Sequence, residues 1–163
     1  MWLSAQPPVA HPLFVRKEIE RVTTLGLFIG IAVSLPMLWV VRNKGWDRRA
    51  WSLFMMTLPI WYALFGLLTL DMSVIANELI YGLPYFLMGF LAWRFVSKSW
   101  LVIAGLGWLS HAFYDVYHDV FFVNPGVFAW YPTACLVFDV AVGAYLIYVA
   151  AAYEERGDAS YGS

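Results

Sequence analysis

The chain has 163 residues, 62% of them hydrophobic and 13% charged, with a mean hydropathy of +0.68 and a formal net charge of −1. A soluble domain carries about 25% charged residues, so this composition points to one integral membrane domain, and the near-neutral charge excludes the basic footprint of a nucleic-acid binder. The single cysteine, Cys135, excludes an internal disulfide and a thiolate metal cluster.

Residues 1–21 read as an N-terminal extracytoplasmic or interfacial segment. Met1–His11 has no basic start, and Pro7, Pro8 and Pro12 interrupt this region. It does not have the pattern of a cleaved signal, so the first apolar run is expected to stay in the mature protein. About 20 apolar residues cross a bilayer as a helix, and five windows between residues 22 and 153 qualify. They are Val22–Val41, Trp51–Leu70, Ser73–Phe95, Trp100–Val123 and Phe128–Tyr153. The predicted fold is an all-α bundle of five transmembrane helices. Pro36, Pro59 and Pro84 should kink their spans, which neighbouring helices tolerate. Residues 154–163 read as a flexible cytoplasmic tail.

Lys and Arg set the orientation. Arg42, Lys44, Arg48, Arg49, Arg94, Lys98 and Arg156 fall on one side of a five-span chain, against Arg16, Lys17 and Arg21 on the other. The expectation is a bacterial inner-membrane protein with its N-terminus outside and its C-terminus in the cytoplasm. Trp46, Trp51, Trp93 and Trp100 would form the inner aromatic belt, and Trp130 lies near the outer boundary. The outer connections are short. Asp71 is an expected helix N-cap, and Asn124–Pro125–Gly126 has turn composition. Gly26 and Gly30 form a GxxxG pair, extended by Ser34, that permits close helix approach. Ordinary internal packing accounts for it more simply than a dimer seam.

The stretch Ser110–Asp119, SHAFYDVYHD, breaks the apolar pattern. His111, Asp115, His118 and Asp119 recur at i, i+4, i+7 and i+8, so they share one helix face. A charged group at mid-bilayer costs about 2.5–3.5 kcal/mol on insertion scales, so such a stripe must be paired, protonated, metal-bound or wetted. Span three enters from the outside and puts Glu78 roughly 8–12 Å deep. Asp115 leaves at a similar depth, and Asp139 re-enters to roughly 15 Å. Glu78, His111, Asp115 and Asp139 therefore share a level on three consecutive helices. Tyr81 and Tyr85 continue the stripe of Glu78, and Tyr131 and Cys135 lead to Asp139. His118 and Asp119 are shallower and suit an outer mouth. Pairing to His111 is the simplest fate for Glu78.

One reading of this face is a transition-metal site, zinc and iron standing level, with His111, Asp115 and His118 as ligands. Glu78 and Asp139 would be the catalytic carboxylates, and Tyr81, Tyr85 and Tyr131 would orient the substrate. A di-iron site needs a second carboxylate-x-x-His pair that this chain lacks. No haem is expected, because both intramembrane histidines lie on one helix. A buried network that only locks the helices or holds ordered water explains the same residues at no less weight, and a proton or ion path is a third reading.

The block from Gly105 to Leu146 resembles a family of small, uncharacterised bacterial integral membrane proteins known only as a domain of unknown function. The residues that carry the resemblance are Gly107–Trp108, His111, Asp115, His118, Trp130–Tyr131–Pro132, Cys135 and Asp139. It groups them as one site and implies no activity.

The functional expectation is a membrane-embedded metal-dependent enzyme acting on a lipid or other apolar small molecule. Its expected partners are membrane lipids, with a homo-oligomer or a larger membrane complex left open. The alternatives are an accessory or scaffold subunit held by its polar network, and a small proton-coupled carrier. The carrier is disfavoured by the lack of an inverted repeat.

Overall fold

The computed structural model describes residues 12–158, with side chains from Arg16 to Ala152. The helical segments are α1 (Pro12–Asn43), α2 (Asp47–Met55), α3 (Leu58–Leu68), α4 (Met72–Arg94), α5 (Lys98–Phe121) and α6 (Tyr131–Asp158). No strand occurs among the described residues. α2 and α3 are two halves of one rod. The rod breaks at Met56–Thr57, and Pro59 follows in the first turn of α3, where a missing N–H costs least.

Four stretches are long and apolar enough to cross a membrane: Arg16–Asn43, Asp47–Leu68, Met72–Arg94 and Tyr131–Ala152. This is consistent with an integral membrane protein. α5 matches them in length, but Lys98, His111, Asp115, His118 and Asp119 dilute its apolarity. Length and composition therefore single out four helices rather than the expected five. Large side chains on the outside of the bundle are apolar, among them Phe28 at 71% exposure, Leu35 at 60% and Trp39 at 67%.

The two terminal segments of the domain expectation lie partly outside the described residues. Residues 12–21 are helical and continuous with α1, and residues 154–158 extend α6. The rest of the N-terminal segment, residues 1–11, and the rest of the tail, residues 159–163, lie outside the described residues.

Close backbone approach organises the packing. α5 and α6 meet at Gly105 and Gly143, where a Cβ on either would come within 3.0 Å of the other's carbonyl oxygen. From that contact, moving along both antiparallel helices toward the C-terminal end of α5 brings His111 level with Asp139. α1 packs on α6 through Gly26 and Gly30. A Cβ on Gly26 would meet the Trp130 carbonyl oxygen at 2.6 Å, and one on Gly30 would meet that of Ala134 at 2.8 Å. The GxxxG pair is thus an internal seam. Gly30→Leu should push α1 off α6. Overpacking costs about 1–3 kcal/mol, and a matching drop in unfolding free energy in detergent, with α5 and α6 still paired, is the expected result.

The apolar core is built from Trp51, Met55, Leu101, Trp108, Phe138, Val142 and Leu146. Trp51, expected in an interfacial belt, is 1% exposed and packs edge-on against Phe138. A bulky ring one turn into α2 fills the gap between helices better than it anchors a surface. At the same end of the bundle, the Arg42 guanidinium donates to the Tyr145 hydroxyl at 3.3 Å, and that hydroxyl donates to Asp47. This links α1, α2 and α6. At the opposite end Asp71 caps α4 as expected, accepting from the backbone N–H of Ser73 at 2.9 Å and of Val74 at 3.2 Å. The Ser73 hydroxyl and these N–H groups hold its carboxyl below the usual range.

Candidate functional site

The polar residues of α5 face the bundle interior. His111, Asp115 and His118 are each 2–3% exposed, and Glu78 of α4 and Asp139 of α6 are equally buried. Five ionisable side chains are therefore enclosed together, and their contacts divide them into two linked groups.

The first group is His111, Asp115 and Asp139. Nδ1 of His111 lies 2.6 Å from Oδ2 of Asp139 and 3.4 Å from Oδ2 of Asp115. The i, i+4 spacing on α5 supplies the second contact, and the α5–α6 seam supplies the first. One donor atom from each residue falls within 4.8 Å of the others. The second carboxylate oxygen of Asp115, Oδ1, accepts a hydrogen bond from the Tyr62 hydroxyl at 2.8 Å. Oδ2 of Asp115 is buried and has no hydrogen-bond partner.

The second group centres on Glu78. Its Oε1 lies 2.9 Å from Nε2 of His118 and accepts from the Asn124 amide at 2.7 Å, while Oε2 accepts from the Tyr114 hydroxyl at 3.3 Å. The orientation of Asn124 is fixed by its neighbours. Its amide also donates to the Tyr62 carbonyl at 3.0 Å, and its side-chain oxygen accepts from the Gly126 N–H at 3.2 Å. Three groups pointing at one carboxyl form the pattern that an acceptor-only carboxylate satisfies. Tyr62 joins the two groups. Its hydroxyl serves Asp115, and its ring stacks on His118 with centroids 4.5 Å apart.

Several expected residues take other places than the sequence suggested. Glu78 pairs with His118 rather than His111, because the α4–α5 contact sets it nearer the C-terminal end of α5. His118 is consequently a buried partner and not the lining of a mouth. Asp119 is the exposed one, with 81% of its side chain accessible and Oδ1 3.4 Å from Nδ1 of His118. Of the expected ligand set, His111 and Asp115 meet each other and Asp139, while His118 turns to Glu78. Tyr85 stands edge-on to His111 at 4.6 Å, and Tyr131 stands edge-on to Tyr62 at 5.4 Å. Tyr81 is 42% exposed and stacks on Tyr114 at 6.4 Å, one ring away from Glu78.

The sequence pattern did not single out Tyr62, Tyr114 or Asn124. Tyr62 carried a usable signal. It lies eight residues from the expected outer end of span two, about 12 Å deep, which is the level that gathers the carboxylates. Tyr114 sits beside Asp115 on the interior face. Asn124 carried none, since an Asn-Pro-Gly turn reads the same whether its side chain points in or out.

The first group could hold a metal ion. Bonds of about 2.0–2.2 Å in a tetrahedral zinc sphere put donor atoms on the order of 3.4 Å apart. The His111–Asp115 separation of 3.4 Å already fits. The 2.6 Å His111–Asp139 contact is a hydrogen bond and would have to open by less than about 1 Å. Charge points the same way. Two ionised carboxylates and one neutral imidazole are neutralised by a single divalent ion; without it, two protons shared among His111, Asp115 and Asp139 are needed. No family model, curated protein or solved structure matches this chain, so the reading of the site rests on its own residues.

Proposed function

We propose that the chain is a five-span integral membrane enzyme that uses one divalent transition metal, zinc or iron, on a lipid or other apolar small molecule. His111, Asp115 and Asp139 would hold the ion, and Asp139 moves from the expected catalytic role to a ligand. Glu78, tied to His118, would be the general base. Tyr85 and Tyr131 would border the substrate, and Tyr81 would stand behind Tyr114. The single observation that carries the reading is the buried Oδ2 of Asp115 beside Asp139, which accepts no hydrogen bond and has only the 3.4 Å approach of His111 Nδ1. A buried carboxylate oxygen without a donor is costly, and a cation at that point satisfies it. Three protein ligands leave a coordination position open, as catalytic sites require. When bound, the ion would supply a Lewis acid and lower the pKa of a coordinated water.

Elemental analysis of the protein purified in detergent tests this directly. About one zinc or iron per chain is expected for the wild type and a loss of it in Asp139→Asn. Metal-free wild type that takes up none from a buffered supply refutes the proposal.

The runner-up is a scaffold subunit whose network only fixes its helices. The observation in its favour is the 2.6 Å His111–Asp139 hydrogen bond, which closes much of the group without an ion.

The orientation is part of the proposal. Seven Lys and Arg residues fall on the side assigned to the cytoplasm and three on the other, which the positive-inside rule reads as N-terminus outside. A cysteine at Lys44, in a Cys135→Ala background, should resist impermeant thiol reagents in intact cells and react after permeabilisation. Labelling from outside reverses the orientation.

A further inference from the structure

A groove of about 260 Å³ lies between α1, the α2–α3 rod and α6. Val33 and Met37 line it from α1, Leu58 and Trp61 from α3, and Cys135 and Asp139 from α6. Val33 and Trp61 are 45% and 44% exposed, so the groove is open to its surroundings between α1 and α3. Its walls are almost wholly apolar, and Asp139 is the one acidic or basic residue among them. Asp139 is also the residue that faces His111 at 2.6 Å. The groove therefore runs from the outside of the bundle to the first polar group.

We propose that this groove is the lateral entrance of the site and that it takes the hydrocarbon chain of a single-chain lipid alcohol, with the hydroxyl end at Asp139. The inference rests on the reading of His111, Asp115 and Asp139 as the reactive centre and names its substrate class.

The chemistry of the two ends selects this occupant. At mid-span a groove open to the side meets hydrocarbon, so its content is an alkyl chain. The volume falls below the range of about 300–1,000 Å³ usual for drug-sized ligands, which suits one chain and not the two of a phospholipid. At the inner end stand two carboxylates, Asp139 and, across His111, Asp115. They accept hydrogen bonds, and one divalent ion already balances their charge, so the head of a fatty acid or a phosphate would add an uncompensated buried charge and is disfavoured. An uncharged hydroxyl donates to a carboxylate and is also a competent metal ligand.

Photocrosslinking with a diazirine-bearing long-chain alcohol, on the full chain in phosphatidylcholine nanodiscs, tests the proposal. Crosslinks are expected at Met37, Trp61 and Cys135. Unlabelled alcohol should compete about tenfold better than the fatty acid of equal length, a difference of roughly 1.4 kcal/mol. Val33→Trp, which fills the groove from an exposed position and touches none of the polar residues, should abolish labelling. Crosslinks spread over the outward residues Phe28 and Leu35, and insensitive to competitor, would mean boundary lipid only and overturn the entrance. Equal competition by the acid would overturn the alcohol. Metal content measured on the same samples separates the two readings. Groove labelling on protein that binds no metal supports the lipid site and ends the metal enzyme. Bound metal without groove labelling overturns the entrance and leaves the metal site.

Discussion

Glu78→Ala is expected to be among the most destabilising single substitutions in the chain. Three groups point at this carboxyl: Nε2 of His118, the Asn124 amide and the Tyr114 hydroxyl. Interhelical hydrogen bonds in a bilayer average only about 0.6 kcal/mol each, so their simple sum is modest. The larger effect is what remains. Breaking a buried pair by removing one partner costs about 3–5 kcal/mol, because the other is left uncompensated. His118 cannot escape to water, since Tyr62 stacks on one face and Tyr114 and Phe122 stand against it. Glu78→Gln keeps an acceptor for His118 and Asn124 and should lose less than half as much. Unfolding in detergent measures both. An alanine variant as stable as the wild type would show that the Glu78 group contributes nothing to the fold and would also remove the basis for ranking Glu78 above any other carboxylate as base.

How far the sequence reached depends on what each residue's signal was. The helices were legible because an apolar window of bilayer length, bounded by charge, satisfies its backbone in lipid only as a helix. The break in the second span was not, since Pro59 read as a kink inside one helix rather than as the first turn of a new one. Trp51 illustrates a limit of composition. A tryptophan beside a basic loop looks like a belt residue whether it faces lipid or, as here, the core. The shared stripe of His111 and Asp115 and its meeting with Asp139 followed from periodicity and antiparallel order. The partner of Glu78 did not, because its expected level is that of Asp115, between His111 and His118, which are about 10.5 Å apart. The axial offset of α4 against α5 decides between them. Tyr62 and Asn124 show the remaining gap. Neutral polar side chains raise no alarm in an apolar span or a turn, yet these two join the charged groups to each other.

The metal reading predicts a thermal response confined to one half of this network. The ion would bind the folded chain only, since three ligands from α5 and α6 converge only on folding. At a free metal concentration of 100 times Kd the stabilisation is about 2.7 kcal/mol. In a domain of this size each kcal/mol moves the midpoint by about 2–4 °C, so a rise of about 5–10 °C over chelated protein is expected. Asp139→Asn and His111→Ala should abolish the rise, because each removes a ligand. Glu78→Gln should keep it, because Glu78 contacts His118, Asn124 and Tyr114 and none of the three ligands among its hydrogen bonds. Tyr62→Phe is the finer probe. It removes the one hydrogen bond on Asp115 Oδ1, leaving the carboxylate free to turn, so the rise should shrink without vanishing. A scaffold predicts something different for the same proteins: a midpoint indifferent to chelator and metal, with the variants separated only by the hydrogen bonds they lose. Differential scanning measurements on the wild type and these four variants, with and without chelator, decide between the two. A response that survives Asp139→Asn would place any bound ion elsewhere than beside His111.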